Sequence, residues 1–427
     1  MSIEFDTSAE CAARLDDADP LRDFRSRFEI PTDSEGKTKI YLVGNSLGAL
    51  PSLVRHNVAV ELDRWARYGV EGHFTGDLAW EPYHELLTEP MAAIVGAKAE
   101  EVVVMNSLTV NLHLLMISFY RPTPKRHKVI IEDHAFPSDH FAVESQIRQR
   151  GFDPAESLVT LEPSDGAETL DRSDILSAIA DAGDELAMVL LPGVQYYTGQ
   201  VLPMEAITRA AHAVGAVAGF DLAHAAGNIP LRLHHWDVDF ASWCTYKYLN
   251  GGPGGVGGAF VHSRHVGDQT LPKLLGWWGT RKDTRFEMGT EFEPIPTVES
   301  WQLSNAPILA MAALRASLDI VTEAGGMDSL RSKNELQVTY LDFLLDAELG
   351  SQISSITPAD MDERGAQFAL SIVADGVDGR EVYHRLGEAG VACDWRYPNV
   401  IRVAPVPLYN TFRDIYDFVH ILKGLVT

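Results

Sequence analysis

Short apolar runs alternate with segments of helical spacing through the middle of this chain. Residues 129–132, 186–191 and 216–221 have the composition of buried strands, and residues 140–150 and 204–214 have the spacing of helices. Strands that are apolar on both faces need cover on both sides, and parallel strands need crossover helices between them. The pattern therefore predicts an α/β fold with a mostly parallel central sheet. Ligands of such sheets bind beyond the carboxyl ends of the strands.

The pattern changes after Ser304, where longer helices are followed by short strands. The chain has 427 residues, enough for two or three structural units at roughly 100–200 residues per domain. We predict an N-terminal segment that packs on a small domain, a large ligand-binding domain and a small α+β C-terminal domain. Their predicted limits are 1–60, 61–309 and 310–427.

Composition and charge limit the partners and the compartment of the protein. There are 35 Lys and Arg residues against 60 Asp and Glu residues, a net charge of −25, which disfavours nucleic acid and anionic membranes. No apolar run reaches the about 18 residues that a spanning helix needs, and the acidic start lacks a secretory signal. Cys11, Cys244 and Cys393 are scattered, and no histidine has a zinc-site spacing. We expect a cytoplasmic protein without a membrane, nucleic-acid or metal partner.

Two charged residues follow predicted strands of the sheet. Asp221 ends a strand, where it could cap the next turn or pair with the protonated nitrogen of a pyridine ring. Lys247 follows the apolar run 240–244 and is flanked by Tyr246 and Tyr248. A lysine shielded from water has a lowered pKa and can attack an aldehyde as a neutral amine. Together the two residues predict that pyridoxal phosphate is held at its ring nitrogen and at its aldehyde.

A third segment fits the phosphate of such a cofactor. Ser107 and Thr109 lie where a β run gives way to a helix, so either can be an ordinary N-cap or can bind a phosphate with the free N–H groups. The glycine-rich loop 251–258 contains the pattern G-x-G-x-x-G from Gly252 to Gly257. A dinucleotide site needs that pattern between a strand and a helix, whereas here a strand-like run follows it. We therefore interpret the loop as a tight turn beside the lysine.

An ordered set of motifs along nearly the whole chain resembles the kynureninase family, within the fold type I pyridoxal-phosphate enzymes, and most resembles its eukaryotic-type branch. The motifs are Tyr41-Leu-Val-Gly-Asn-Ser-Leu-Gly48, Ser107-Leu-Thr-Val-Asn-Leu-His-Leu-Leu-Met116, Arg121-Pro-Thr-Pro-Lys125, Ala135-Phe-Pro-Ser-Asp-His140, Tyr197-Thr-Gly-Gln200, Asp221-Leu-Ala-His224, Tyr246-Lys-Tyr-Leu-Asn250, Gly276-Trp277 and Arg402-Val-Ala-Pro-Val-Pro-Leu-Tyr-Asn410. Each short motif by itself is only weakly specific for the family, but the whole set in this order is strongly specific.

The resemblance implies that Lys247 binds the cofactor aldehyde covalently and that Asp221 pairs with its ring nitrogen. It also implies contacts to the phosphate, to the ring face and to the rest of the cofactor. These are Leu108 and Thr109 at the phosphate with Tyr246 and Trp277 near it, Phe136 stacked on the ring, and Asp139, His224 and Asn305 around it. Without the resemblance, the two aromatic residues Phe136 and Trp277 could equally belong to the core.

The same resemblance implies the substrate contacts and the assembly. Arg402 would clamp the substrate α-carboxylate, and His73, Ser46 and Asn305 would face its aromatic half. The family implies a homodimer with the active site at the subunit interface. Taken alone, Arg402 could be an exposed cation and the other three could be loop or capping residues.

The implied activity is hydrolytic cleavage of the Cβ–Cγ bond of L-kynurenine or 3-hydroxy-L-kynurenine. The products are anthranilate, or its 3-hydroxy form, and L-alanine. Lys247 would be the base at Cα, and Tyr246 is the candidate proton donor at Cβ. His73 with Asn305 could bind a ring hydroxyl, which favours the 3-hydroxy substrate. Tryptophan degradation, NAD formation and biosynthesis of substituted kynurenines all stay open as pathways.

Two positions depart from the family pattern, and one rival activity uses the same scaffold. Pro192 stands where this branch often has a small hydroxyl residue, and Thr280 stands where relatives tend to carry histidine. Proline offers neither a hydroxyl nor an N–H, so one cofactor hydrogen bond could be lost. A cysteine desulfurase or related lyase needs a reactive cysteine on a mobile loop. Neither Cys244, beside Lys247, nor Cys393, in a predicted strand, fits that requirement.

Overall fold

The computed structural model describes residues 4–268 and 270–427. Strands β1 to β15, numbered along the chain, are Phe28–Glu29, Ile40–Tyr41, Leu50–Pro51, Val102–Val104, Lys128–Glu132, Leu158–Leu161, Leu186–Pro192, Val217–Asp221, Phe240–Trp243, Gly258–Val261, Ile353–Ser355, Phe368–Ile372, Val391–Ala392, Asp394–Arg396 and Val400–Val403. Helices α1 to α13 are Ala9–Ala18, Leu53–Tyr68, Thr88–Val95, Leu108–Phe119, Pro137–Gln149, Pro154–Ser157, Arg172–Ala182, Met204–Ala213, Ser263–Val266, Ile308–Glu323, Gly326–Leu349, Gly379–Glu388 and Phe412–Val426. Within these ranges, no helix has both the length and the apolar character needed to cross a bilayer.

A seven-stranded sheet forms the centre of the fold, in the order β4-β10-β9-β8-β7-β5-β6. The strands from β9 to β6 in this order pair parallel to one another. Only β10 runs antiparallel to both of its neighbours within the described sheet. The prediction of an α/β fold with a mostly parallel sheet is therefore confirmed, and the predicted central strands and helices agree with the observed ones to within a few residues.

Both faces of this sheet are covered, as its sequence requires. Successive strand residues point to opposite faces, so that Ile130 lies in one apolar cluster while Val129 and Ile131 lie in another. Helix α4 packs across β9 and β10, and α8 packs against β8. Uninterrupted apolar strands are stable here because each face meets a helical layer.

A second, smaller sheet follows in the chain. Its order is β11-β12-β15-β14, and every pair in it is antiparallel. Its apolar face forms a separate core with α11, α12 and α13. Near the N-terminus, β2 pairs in parallel with β13, and α1 contacts α13. The exact domain limits given above stay a prediction.

The parallel strands bring polar residues together at one edge of the central sheet. Adjacent strands β5, β7 and β8 end at Glu132, Pro192 and Asp221, and Pro192 lies directly opposite Asp221 in the register. Helix α4 begins at Leu108, just after the end of β4 at the same edge. Because parallel strands all end on one side, residues far apart in the sequence meet there.

Close packing between β8 and β9 generates a stability prediction. Gly219 pairs with Phe240, and a Cβ added at Gly219 would lie 2.1 Å from the Cζ atom of that buried ring. The ring has little room to retreat because it stacks on Phe119 at 4.9 Å between centroids. We expect Gly219→Ala to lower the free energy of unfolding by about 1–3 kcal/mol, measured by urea denaturation.

The matched control is Gly424→Ala, on the exposed side of α13, where an added Cβ meets nothing within 4 Å. Alanine is the better helix former, so this variant should be neutral or slightly more stable. Equal stability of the two variants would contradict the packing argument.

Candidate active site

A cavity of about 240 Å³ opens at the carboxyl edge of the seven-stranded sheet. It is lined by strand ends, by the start of α4 and by the loops that follow β5 and β9. The lining residues are Ser107, Leu108, Thr109, Glu132, Phe136, Ser138, Asp139, Pro192, Val194, Tyr196, Asp221, Ala223, His224, Tyr246 and Lys247. The structure thus brings together eight of the sequence-predicted residues, namely Leu108, Thr109, Phe136, Asp139, Asp221, His224, Tyr246 and Lys247.

Lys247 is the cationic side chain in this lining. Its Nζ lies 2.9 Å from Nε2 of His224. Burial lowers the pKa of Lys247, although Cys244 and Asp221 act in the opposite direction. Burial and the charge of Lys247 lower the pKa of His224 well below its usual value, so its imidazole is neutral and accepts from the lysine. Nδ1 of His224 is buried and has no partner within the described chain.

Three buried carboxyl groups line the same cavity. Burial raises the pKa of Asp221 above its usual value, even though one of its oxygens accepts the N–H of Ala223 at 2.7 Å. Burial, and then the charge of Asp221, raise the pKa of Asp139 well above its usual value. Burial raises the pKa of Glu132 to about 8. A further cation, such as a protonated pyridine ring, would stabilise the ionised form of these carboxyl groups.

The other end of the cavity suits an anion. Helix α4 starts at Leu108, and the side chain of its N-cap, Ser107, makes no capping hydrogen bond. The first N–H groups of this twelve-residue helix are therefore available, and the helix dipole favours negative charge there. Gly257 lies behind this turn, and a Cβ added to it would come within 3.1 Å of the N atom of Leu108. The carboxyl groups at one end of the cavity suit the protonated ring of pyridoxal phosphate. The start of α4 at the other end suits its phosphate.

An aromatic side chain covers the cavity. Phe136 is 46% exposed, and its ring centroid is 6.0 Å from Nζ of Lys247. The ring of Tyr196 meets it edge to face at 5.3 Å. An exposed ring over a polar cavity is suited to stack on a planar ligand. Pro192 lines the same cavity, so the hydroxyl expected there is absent from this position.

Arg402 and Ser46 meet beside the cavity. Arg402 lies on β15 with its side chain 1% exposed, and its Nη2 donates to Oγ of Ser46 at 3.2 Å. Its Nη1 donates to the backbone carbonyl of Tyr196, whose ring lines the cavity. Its Nε donates to Oδ1 of Asp394 at 2.7 Å. The predicted exposed-cation alternative for Arg402 is therefore wrong.

Five predicted residues do not line the cavity of the single chain: Arg402 and Ser46 lie beside it, and the other three have different surroundings. The ring of His73 packs edge to face on Trp80 at 5.3 Å, Trp277 donates to the carbonyl of Arg285 at 3.0 Å, and Asn305 is exposed. Trp277 also belongs to an exposed apolar surface that we call the aromatic patch. The patch consists of Val70, Phe74, Trp277, Phe286 and Met288, whose side chains are between 47% and 72% exposed. Thr280, close to this patch, donates to the carbonyl of Glu293 at 3.1 Å.

The sequence analysis missed Glu132, Tyr196 and Asp394. Glu132 ends an apolar strand in the same way as Asp221, and that shared position was a usable signal. Tyr196 follows an irregular turn after β7, and Asp394 is two residues from the end of a short strand. Only the pairing of β14 with β15 places Asp394 opposite Arg402.

Comparison with solved structures identifies the class of fold to which the protein belongs. A cysteine desulfurase from Thermococcus onnurineus NA1 matches with a TM-score of 0.73 over 91% of this chain and 94% of its own, at 17% identity. A mutant of C-DES with glycine covalently linked to its PLP cofactor matches with a TM-score of 0.75 over 91% and 97%, at 15% identity. The chain has the architecture of the fold type I pyridoxal-phosphate-dependent enzymes.

Comparison with related sequences identifies the family more narrowly than the fold does. Residues 330–422 match the model of the kynureninase C-terminal domain. Proteins named kynureninase from Koribacter versatilis and Myxococcus xanthus are 53% and 51% identical, over 97% and 98% of this chain and the same shares of their own. Another from Christiangramia forsetii is 48% identical over 99% of both chains. This chain belongs to the kynureninase family.

The buried acid Glu132 generates a prediction on pH. In the unfolded chain this carboxyl titrates near its usual pKa, whereas in the fold it keeps its proton up to about pH 8. Between these values unfolding releases a proton, so the free energy of unfolding falls as the pH rises. In the cofactor-free protein, Glu132→Gln should reduce this fall by up to about 1.4 kcal/mol per pH unit.

The measurement is urea denaturation at pH 5.5 and at pH 8. Glu35→Gln, at an exposed turn, is the control and should keep the wild-type dependence. An identical pH dependence in Glu132→Gln and wild type would mean that Glu132 ionises normally in the fold.

Proposed function

We propose that this chain is a pyridoxal 5'-phosphate-dependent hydrolase that cleaves the Cβ–Cγ bond of L-kynurenine, 3-hydroxy-L-kynurenine or both. The products are anthranilate, or 3-hydroxyanthranilate, and L-alanine. The observation that carries the proposal is that the Lys247 amine and the Asp221 carboxyl line one cavity, in a chain about half identical to kynureninases over nearly its full length. A desolvated amine and a buried acid are the two groups that hold this cofactor.

The cavity offers a contact for each part of the cofactor. Asp221 would keep the ring nitrogen protonated, the first turn of α4 with Thr109 would hold the phosphate, and Phe136 would stack on the ring. Asp139 and His224, whose Nδ1 is buried without a partner in the described chain, would complete the surroundings. The bound cofactor supplies an aldehyde carbon and an electron-withdrawing ring that stabilises negative charge next to the substrate nitrogen.

Two side chains move protons in this proposal. Lys247, with its pKa lowered by burial, is the base that takes the proton from the substrate Cα. His224, at 2.9 Å, orients the amine. Burial raises the pKa of Tyr246, so its hydroxyl keeps its proton at neutral pH and can donate it to Cβ. The ring of Tyr246 lies 5.9 Å from Nζ of Lys247, within the same cavity.

Arg402 and Ser46 orient the substrate. Arg402 lies fully buried beside the cavity, where a fixed guanidinium can hold the α-carboxylate of an amino acid. Once the carboxylate is bound, the substrate can no longer rotate freely, and the Cα–H bond is oriented toward Lys247. Ser46 accepts a hydrogen bond from the same guanidinium, and we propose that it faces the aromatic half of the substrate.

We further propose a homodimer in which His73, Trp277 and Asn305 complete the site of the partner subunit. The exposed aromatic patch supports this, because apolar surface of this kind is usually covered in an assembly. Two-fold symmetry would cover both patches at once. In the completed site, Trp277 and Asn305 would contact the cofactor, and His73 with Asn305 could bind a ring hydroxyl, which favours the 3-hydroxy substrate.

The cellular setting is part of the same proposal. Cys11, Cys244 and Cys393 are all free in the structure, which is consistent with a reducing cytoplasm. An enzyme with this activity could act in tryptophan degradation, in NAD formation or in the biosynthesis of substituted kynurenines.

A cysteine desulfurase activity is a weaker candidate. Two solved structures named as cysteine desulfurases are 17% and 16% identical to this chain, so the likeness indicates the fold alone. Burial raises the pKa of Cys244, and burial raises the pKa of Cys393 to about 12. A thiol that stays protonated is a poor nucleophile, so neither residue suits the attack on sulfur.

The central test is an assay of L-kynurenine and 3-hydroxy-L-kynurenine, side by side, with and without added pyridoxal phosphate. Wild type should release anthranilates and L-alanine. Lys247→Ala should lose at least about a thousandfold in kcat/KM and lose the absorbance of the lysine-bound cofactor, because it lacks both the attachment point and the base.

Lys37→Ala, at an exposed turn, is the matched control and should behave as wild type. Full turnover by Lys247→Ala, or a wild type that binds pyridoxal phosphate but releases alanine only from cysteine, would overturn the proposed function.

Mixed dimers test the shared active site. We expect Lys247→Ala and Trp277→Ala each to be severely impaired. A dimer with one subunit of each kind, purified through two different tags, should recover about half of the wild-type activity, because one of its two sites is native.

A mixed dimer of Lys247→Ala and Asp221→Ala is the control. Both residues line the cavity of the same subunit, so neither site is restored and the dimer should stay inactive. No recovery in the first mixed dimer would show that Trp277 does not act across the interface.

A further inference from the structure

Most N–H groups of the Arg402 guanidinium already donate hydrogen bonds to other groups of the protein. Its Nε donates to Oδ1 of Asp394 at 2.7 Å, and its Nη2 donates to Oδ2 of the same carboxylate. Its Nη1 donates to the Tyr196 carbonyl, and Nη2 also reaches Ser46. Four of the five N–H groups of an arginine are thereby engaged. Arg402 alone therefore has no free pair of parallel donors for a substrate carboxylate.

A second arginine, Arg396, stands beside this pair and is poorly satisfied. Its Nη2 is 3.5 Å from Oδ2 of Asp394, and its Nη1 is 3.5 Å from the carbonyl of Trp395. Its Nε is buried and has no hydrogen-bond partner within the described chain. Burial, with the neighbouring charge of Arg402, lowers the pKa of Arg396. A guanidinium with unused donors next to a like charge would be stabilised by another anion.

The strand geometry holds these groups on one side of the small sheet. Asp394 and Arg396 are two residues apart on β14, so their side chains point to the same face. Asp394 lies opposite Arg402 in the antiparallel register with β15. Two guanidinium groups thus share one carboxylate, which leaves one positive charge uncompensated. One substrate carboxylate would make the group neutral.

This group adjoins the proposed active site, because Nη1 of Arg402 donates to the carbonyl of Tyr196, a residue of the cavity lining. Burial, then Lys247, and then the charges of Arg402 and Arg396 lower the pKa of His224 in the cavity. Both arginines also act on Tyr196, whose pKa burial raises and whose ring lines the cavity. Arg396 therefore lies within electrostatic reach of the two residues that flank Lys247 and Phe136.

We propose that Arg396 is a second binding residue for the α-carboxylate of the amino-acid substrate, and that Asp394 positions both arginines to share it. This inference rests on the proposed function. Arg402 fixes one carboxylate oxygen, and Arg396 supplies donors to the other. Asp394 stays on the outer edge of Arg402 and keeps the two cations together. An amino-acid amide, which lacks the carboxylate, cannot form this ion pair with Arg396.

The experiment measures binding to the holoenzyme through the absorbance of the bound cofactor. The probes are L-alanine and L-alaninamide, which differ only in the carboxylate. For Arg396→Gln, the Kd of L-alanine should rise about 10- to 100-fold, the loss of one or two charge-assisted hydrogen bonds, while the Kd of L-alaninamide stays within about twofold. KM for kynurenine should rise by a similar factor, with a smaller change in kcat.

Two further variants control for charge and for folding. Arg396→Lys keeps the charge and should recover part of the L-alanine affinity. Arg385→Gln removes an exposed arginine from α12 and should bind both probes as wild type does. The melting temperature and the cofactor absorbance of Arg396→Gln should match those of wild type.

Equal shifts for L-alanine and L-alaninamide, or no shift for either, would overturn the role of Arg396. A change confined to inhibition by anthranilate would also overturn it, because the residue would then serve the aromatic product. A wild type that neither binds L-alanine nor cleaves kynurenine would overturn the proposed function itself, which is a different outcome.

Discussion

Burial of opposite charges at the carboxyl edge of the sheet is the constraint on which the site depends. Lys247 lines one cavity with Asp221, Asp139 and Glu132, and all four side chains are buried. In such surroundings an amine gives up its proton more easily and carboxyl groups hold theirs more tightly. A cationic ligand would therefore favour ionisation of these carboxyl groups. A cofactor with a basic ring nitrogen and a phosphate supplies what the cavity lacks.

The site joins two sheets of different construction. The parallel sheet contributes strand ends, which meet at one edge and bring the proposed cofactor contacts into one cavity. The antiparallel sheet contributes Arg402, Asp394 and Arg396 from paired strands, where cross-strand neighbours are fixed by register. The carbonyl of Tyr196 links the two, because it accepts from Arg402 while its ring lines the cavity. In the proposed function, the parallel sheet thus supplies the cofactor contacts and the antiparallel sheet the substrate contacts.

Sequence reasoning named eight of the residues that line the cavity and missed others beside it. Asp221 and Lys247 follow apolar strands, and residues after parallel strands must meet at the same edge. Glu132 occupies an equivalent position and could have been predicted on the same ground. Asp394 and Arg396 could not, because their meaning comes from pairing with a strand whose register no local pattern reveals. His73, Trp277 and Asn305 lie outside the single-chain cavity, so their roles stay predictions.

The sequence by itself determined the mostly parallel sheet, the edge where ligands bind and the residue types that hold pyridoxal phosphate. The sheet and its ligand-binding edge follow from apolar periodicity along the chain, whereas most of the cofactor contacts are what the resemblance to the family implies. Only the tertiary structure decided that Arg402 is bound by Asp394, that Arg396 stands beside them and that the aromatic patch lies exposed. Such facts depend on distances between residues far apart in the sequence, and on which surfaces the packing leaves uncovered.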